Sequence, residues 1–170
     1  LRDAIDASWE LLDEDERCVF VACGVFRGDI SVEAIQAVAG VPSALDAITS
    51  LLDKSLLVGG GARAVTMLET SRVYACEALA RRADRAAIEA RHRDWFRAAA
   101  ARARVVAERD PRRAQRLLDQ DRSNLQAVVR RGDSARTAAD LEAALVVATA
   151  LDEPRWQDGS LTIHEGTAAD

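Results

Sequence analysis

Between Asp13 and Leu68 the chain is punctuated so closely that it leaves room for only short helices and one tight hairpin. Asp13 is followed three residues on by Glu16, a capping-box pattern. Ser31 opens Ser31-Val-Glu-Ala, and Ser43 with Asp46 repeats the signal after Pro42. Gly24, Arg27-Gly28-Asp29 and Gly40 supply the stops between these starts. Leu56-Leu57-Val58, the turn Gly59-Gly60-Gly61 and Ala64-Val65-Thr66-Met67-Leu68 then read as two strands around a tip. Three short helices followed by a β-hairpin is the layout of a winged helix-turn-helix. Its third helix, expected over residues 44–53, would be the one to enter a DNA major groove.

The chemistry of that third helix runs against its shape. It carries Asp46, Thr49, Ser50 and Asp53, with Lys54 at its end, and none of the Arg or Asn residues that read base edges. Charge along the chain agrees. Residues 1–75 hold 6 basic and 12 acidic groups, residues 76–135 hold 15 and 9, and residues 136–170 hold 2 and 7. A phosphate-binding footprint belongs on the recognition element, and here that element lies in an acidic segment. Lys54 and Arg63, on the wing, are the weak DNA-contact candidates, and specific DNA binding is not expected.

Downstream the pattern is helical. With 49% hydrophobic residues but only 4% aromatic, the core must be built from Ala, Leu and Val. Leu1, Ile5, Trp9 and Leu12 predict a leading amphipathic helix over 3–12, with Trp9 as a core anchor. The helix over 14–24 is expected to bury Cys18, Val21, Ala22 and Val25. A helix over 69–83 is expected to turn Val73, Cys76 and Ala80 inward. Another over 85–108 has Ile88, His92, Trp95, Phe96, Ala99 and Val106 as its inner stripe. Asp110-Pro111 marks a restart, and Leu117, Leu118, Leu125, Val128 and Val129 form the next stripe, broken near Arg131-Gly132. Asp133 is placed to cap a last helix ending near Leu151, before Pro154, and 155–170 lacks period and caps. The fold class is therefore mainly α. A winged unit over 1–75 leads into antiparallel helical hairpins over 76–151 that resemble the rungs of a solenoid, and a disordered tail over 152–170 is expected.

No catalytic, cofactor-binding or metal site emerges. Gly59-Gly60-Gly61 lacks the Lys-Ser/Thr and helix of a phosphate loop. Cys18, Cys23 and Cys76 have no metal spacing, and neither His92 nor His164 sits near a Cys, Asp or Glu at metal-ligand spacing with the other. The acidic run from Asp13 to Glu16 complements a helix N-terminus without needing a cation. No membrane-length apolar run occurs, and a cytoplasmic protein without membrane contact is expected. The one constellation with a sharper meaning is the arginine series from Arg81 to Arg113, either a solvated face or a protein interface. Arg81, Arg82 and Arg85 are its candidate docking residues.

Several stretches together resemble a known family: the segment Leu1-Arg-Asp-Ala-Ile-Asp-Ala-Ser-Trp-Glu-Leu-Leu-Asp13, then Val25-Phe-Arg-Gly28, Leu51-Leu-Asp-Lys-Ser-Leu-Leu57 and Met67-Leu-Glu-Thr-Ser-Arg-Val-Tyr-Ala75. They are similar to the region after the nucleotide-binding core of large bacterial STAND-type regulators, the antibiotic-regulatory and large LuxR-type transcription regulators. Arg91-His-Arg-Asp-Trp-Phe96 and Asp121-Arg-Ser-Asn-Leu-Gln-Ala-Val128 are similar to that family's linking helices, so the resemblance reaches about residue 150. It implies a winged helix that serves as an internal regulatory module, docking on an ATPase core outside this chain, and tetratricopeptide-like helices after it. It implies no hydrolytic activity and no cofactor within the chain, which beginning with Leu rather than Met reads as a piece of something longer. In some relatives a winged-helix histidine reaches the nucleotide. No histidine lies between Leu1 and Val73, so that contact does not transfer. A DNA-binding winged-helix transcription-factor domain is the alternative reading.

Overall fold

The computed structural model describes residues 2–60, 64–132 and 137–152. The chain is mainly α, with a small antiparallel wing sheet. A leading helix α1 (Arg2–Glu10) precedes α2 (Glu14–Cys23), the short strand β1 (Ile30–Ser31), α3 (Val32–Ala39) and α4 (Ala44–Asp53). Strands β2 (Val58–Gly59) and β3 (Ala64–Thr66) follow, then α5 (Glu69–Ala80), α6 (Arg85–Ala107), α7 (Pro111–Gln120), α8 (Arg122–Gly132) and α9 (Ala138–Asp152).

Local chemistry sets the ends of the winged unit. Asp13 accepts from the Glu16 N–H at 2.8 Å, and Glu16 returns the bond to the Asp13 N–H at 2.9 Å, a closed capping box. Ser31 accepts from the Ala34 N–H and starts α3, and Gly40 ends it at φ 69°, where glycine carries no Cβ penalty. A four-residue turn from Gly40 to Ser43 leads into α4, which lies at 119° to α3, within the usual range for a helix-turn-helix. Ser43 does not form the expected cap. Its hydroxyl instead donates to Asp15 on α2.

The sheet runs in the order β1-β3-β2, with Ile30 opposite Val65 and Gly59 opposite Val65 on the other side. Beneath it lies a dry core of Val19, Phe20, Phe26, Ile35, Ile48 and Leu51, each at most 2% exposed. Leu56 and Leu57 both hydrogen-bond the Leu51 carbonyl as the chain leaves α4.

Helix α6, about 35 Å long at 1.5 Å per residue, joins the two halves. Ile88, His92, Phe96, Ala100 and Ala103 form its buried stripe, against α3 on one side and α7, α8 and α9 on the other. Arg91 reaches from it to the C-terminus of α3, donating from Nε to the Val38 carbonyl at 2.7 Å and from Nη2 to Ala39 at 3.2 Å.

Several expectations shift. Helix α5 buries Ser71, Ala75, Ala78 and Leu79, while Val73 and Ala80 face solvent. Gly24 sets that rotation: a Cβ there would lie 3.0 Å from the backbone of Ala75 and Cys76, so α5 presses its small residues onto α2. The stripe after Pro111 is split at Asp121 into α7 and α8, and Leu117 is exposed. Trp9 and Trp95 are half-buried at the core's edge, with Arg17 and Arg102 over their rings. Cys18 and Cys76 are also half-buried; Cys23 alone of the three is fully enclosed. Thr137 caps α9 through the Asp140 N–H; Asp152, expected in the tail, instead ends that helix, while Asp133, Pro154 and the rest of the tail lie outside the described residues.

Candidate functional site

The recognition position of the winged unit is α4. Ala44, Ala47, Ile48 and Leu51 face the core, so the outer face presents Leu45, Asp46, Thr49 and Asp53. Lys54, at its C-terminus, turns inward. Its Nζ lies 2.6 and 2.7 Å from the two carboxylate oxygens of Glu16, which is 5% exposed and also receives the Ser50 hydroxyl. Burial pushes the Glu16 carboxyl up, but Lys54, Ser50 and the Asp13 N–H outweigh it and hold the group below its ordinary value. A charge pair of this kind ties α2 to the end of α4 and takes the ammonium out of circulation. Arg63, the other weak DNA-contact candidate, lies outside the described residues.

The three candidate docking arginines divide between two places. Arg81 is exposed, and with Arg82 it lines a groove of about 350 Å³ between α1, α2 and α5 that Trp9, Arg17 and Tyr74 also border. Arg82 forks onto Asp84 at 2.7 and 2.9 Å and lies 3.6 Å from the Cys18 sulfur. Hydrogen bonding to Asp84 raises its pKa above the ordinary arginine value. Arg85 pairs with Glu89 at 2.9 Å and borders a separate hollow with Arg93, Arg131 and Asp140. Other arginines of the series are interleaved with acids in the same manner, among them Arg93 with Asp94 and Asp140.

His92 is on the inner stripe of α6 as expected, but the buried polar seam it joins between the winged unit and the helices was not foreseen. His92, fully enclosed, stands between Phe26 and Phe96 with ring centroids at 5.0 and 4.8 Å. Its Nδ1 is 3.4 Å from Arg131; among the described residues its Nε2 meets no partner at hydrogen-bond geometry, although the Asn124 side chain is close enough to favour the protonated ring. Burial first, and then the charge of Arg131, push its pKa down to about 3. Asn124, on α8, accepts from the Arg27 N–H at 2.7 Å and donates to the Asp29 carbonyl at 3.5 Å. It thereby pins the loop before β1. The only sequence signal for this seam was polar residues on otherwise apolar stripes. Among the described residues no group of His, Cys, Asp and Glu is arranged to hold a metal, and no single helix is long and apolar enough to cross a membrane.

No protein-family model matches the chain, and no solved structure matches it. Three mycobacterial proteins do: Mb0914c of Mycobacterium bovis, and MT0914 and Rv0890c of two Mycobacterium tuberculosis strains. Each is 35% identical over 174 aligned residues covering 98% of this chain. Their names class them, provisionally, as HTH-type transcriptional regulators. The chain is thus similar over nearly its whole length to HTH-type transcriptional regulators, and it spans 19% of the length of these relatives.

Proposed function

We propose that this segment is a protein-interaction module of a transcriptional regulator, in which a winged helix docks on another part of the same protein instead of reading bases. The observation that carries this reading is the outer face of α4. It offers Leu45 and two carboxylates where a DNA reader offers cations and amides, and its one nearby ammonium is held by Glu16. Carboxylates brought into a major groove would face phosphate charge with nothing to offset it. By the resemblance described above, the docking partner is a nucleotide-binding core, with Arg81, Arg82 and Arg85 as its polar contacts. The module itself needs no cofactor, metal or catalytic residue for this role.

A second reading is favoured by the names of the relatives: a winged helix that binds DNA, using Lys54 and Arg63. One titration separates the two. Under the docking reading, duplex DNA binds the chain without sequence preference and weakly, with a Kd no tighter than the roughly 10⁻⁴–10⁻⁶ M of non-specific contacts. Sub-micromolar, sequence-dependent affinity that disappears in Lys54→Ala or Arg63→Ala overturns that reading in favour of the second. In the intact regulator, Arg→Glu changes at 81, 82 and 85 are expected to raise basal nucleotide exchange or reporter activation with normal expression. Unchanged basal activity removes these three residues from the docking surface.

A further inference from the structure

We propose that the groove between α1, α2 and α5 binds an acidic protein segment, with carboxylates on Arg17 and Arg81 and an apolar side chain on the floor below them. This rests on the protein-docking reading and names the chemistry of the docked partner. Arginines 17, 81 and 82 line the groove with one carboxylate, Glu14, while Asp6 at its edge is hydrogen-bonded to Tyr74. Arg81 is exposed, whereas Arg82 is already forked onto Asp84. Arg17 spends Nε and Nη2 on long bonds to the Trp9 carbonyl, at 3.4 and 3.3 Å, and so is held in place by its own wall. With its Nε–Nη2 edge held so, the guanidinium keeps its Nη1 end to meet a carboxylate. The floor is apolar, formed by Val21 and Ala78.

The same geometry disfavours nucleic acid. Trp9 is covered by the Arg17 guanidinium at 5.4 Å and flanked by Tyr74 and Phe20 at 5.7 and 6.0 Å, which leaves little ring face for a base to stack on. At about 350 Å³ the groove has room for one or two side chains, near the lower end of small-ligand sites.

The test uses the whole chain labelled with ¹⁵N, following the Trp9 indole N–H, which a Trp9→Phe variant assigns. The probes are a short peptide of Glu with two Leu residues, its Lys counterpart, and inorganic phosphate, all at about 0.15 M salt, where the screening length is about 8 Å. The Glu peptide is expected to shift the Trp9 signal saturably and the Lys peptide to leave it unmoved. Arg81→Glu and Arg17→Gln, with dispersed spectra confirming the fold, should each weaken binding about tenfold or more. Arg116→Glu, on the exposed side of α7 and outside the groove, should change it less than twofold. Absence of a saturable shift overturns the proposal, as does equal affinity for phosphate or an equal loss in Arg116→Glu. Silence toward both peptide and duplex DNA removes this groove while leaving the docking reading intact.

Discussion

His92 is neutral because it is buried, and that makes it a stability sensor. Its pKa in the folded chain, about 3, lies below the ordinary 6.5, so the unfolded chain takes up the proton first. Stability is therefore full above about pH 6.5 and falls as pH drops toward 3, by up to about 1.4 kcal/mol per pH unit. The lowered Glu16 carboxyl adds to the loss in the same direction at more acid pH. His92→Leu fills a similar volume between Phe26 and Phe96 and carries no proton. Its urea midpoint should fall less between pH 7 and pH 5 than the parent's, and an identical fall would show that another group carries the slope. Gly24 illustrates what single residues conceal. In sequence it is a helix stop, yet its φ of −62° suits any residue, and it is small because the backbone of Ala75 and Cys76 approaches it. A contact partner 52 positions away leaves no trace in local spacing.

At the scale of elements, the starts of α2, α3 and α7 were legible and helix rotations were not. Asp13, Ser31 and Asp110 act within three residues of themselves, and each forms the cap its spacing predicts. The inward face of α5 could not be read the same way, because alanines stand on several sides of it and only packing against Gly24 selects among them. The break at Asp121 was hidden because leucines and valines on both sides continue one apparent stripe. Of the candidate surface, the acidic outer face of α4 was visible in its composition, whereas the inward turn of Lys54 depends on the buried Glu16. The capping box of α2 supports both. Asp13→Ala should cost about 1 kcal/mol, and a chain of this length then melts roughly 2–4 °C lower. Asp13→Ser should restore most of the loss. A melt of Asp13→Ala unchanged from the parent would mean that Lys54 and Ser50 hold Glu16 without the cap.

For the whole molecule, the winged unit and the helical array share one seam. Phe26 from the loop after α2, His92 and Phe96 from α6, and Asn124 from α8 meet there, and Arg91 closes the end of α3 from outside. Unfolding followed by tryptophan fluorescence and by helical circular dichroism should therefore trace one transition. Asn124→Ala, which removes a buried side chain and strips the half-buried Arg27 N–H of its partner, should cost about 1–3 kcal/mol and lower both traces together. Two separated transitions in the parent would divide the molecule at α6. The inward-turned amine of Lys54 has one more consequence. It is the only lysine in the chain, so a protease specific for lysine has a single scissile bond to find, between Lys54 and Ser55. That bond lies just past α4, before Ser55 with its positive φ, and Glu16 grips the side chain the enzyme must seize. The rate of that one cut is a clock for how often the helix-turn-helix lets go of its own last turn.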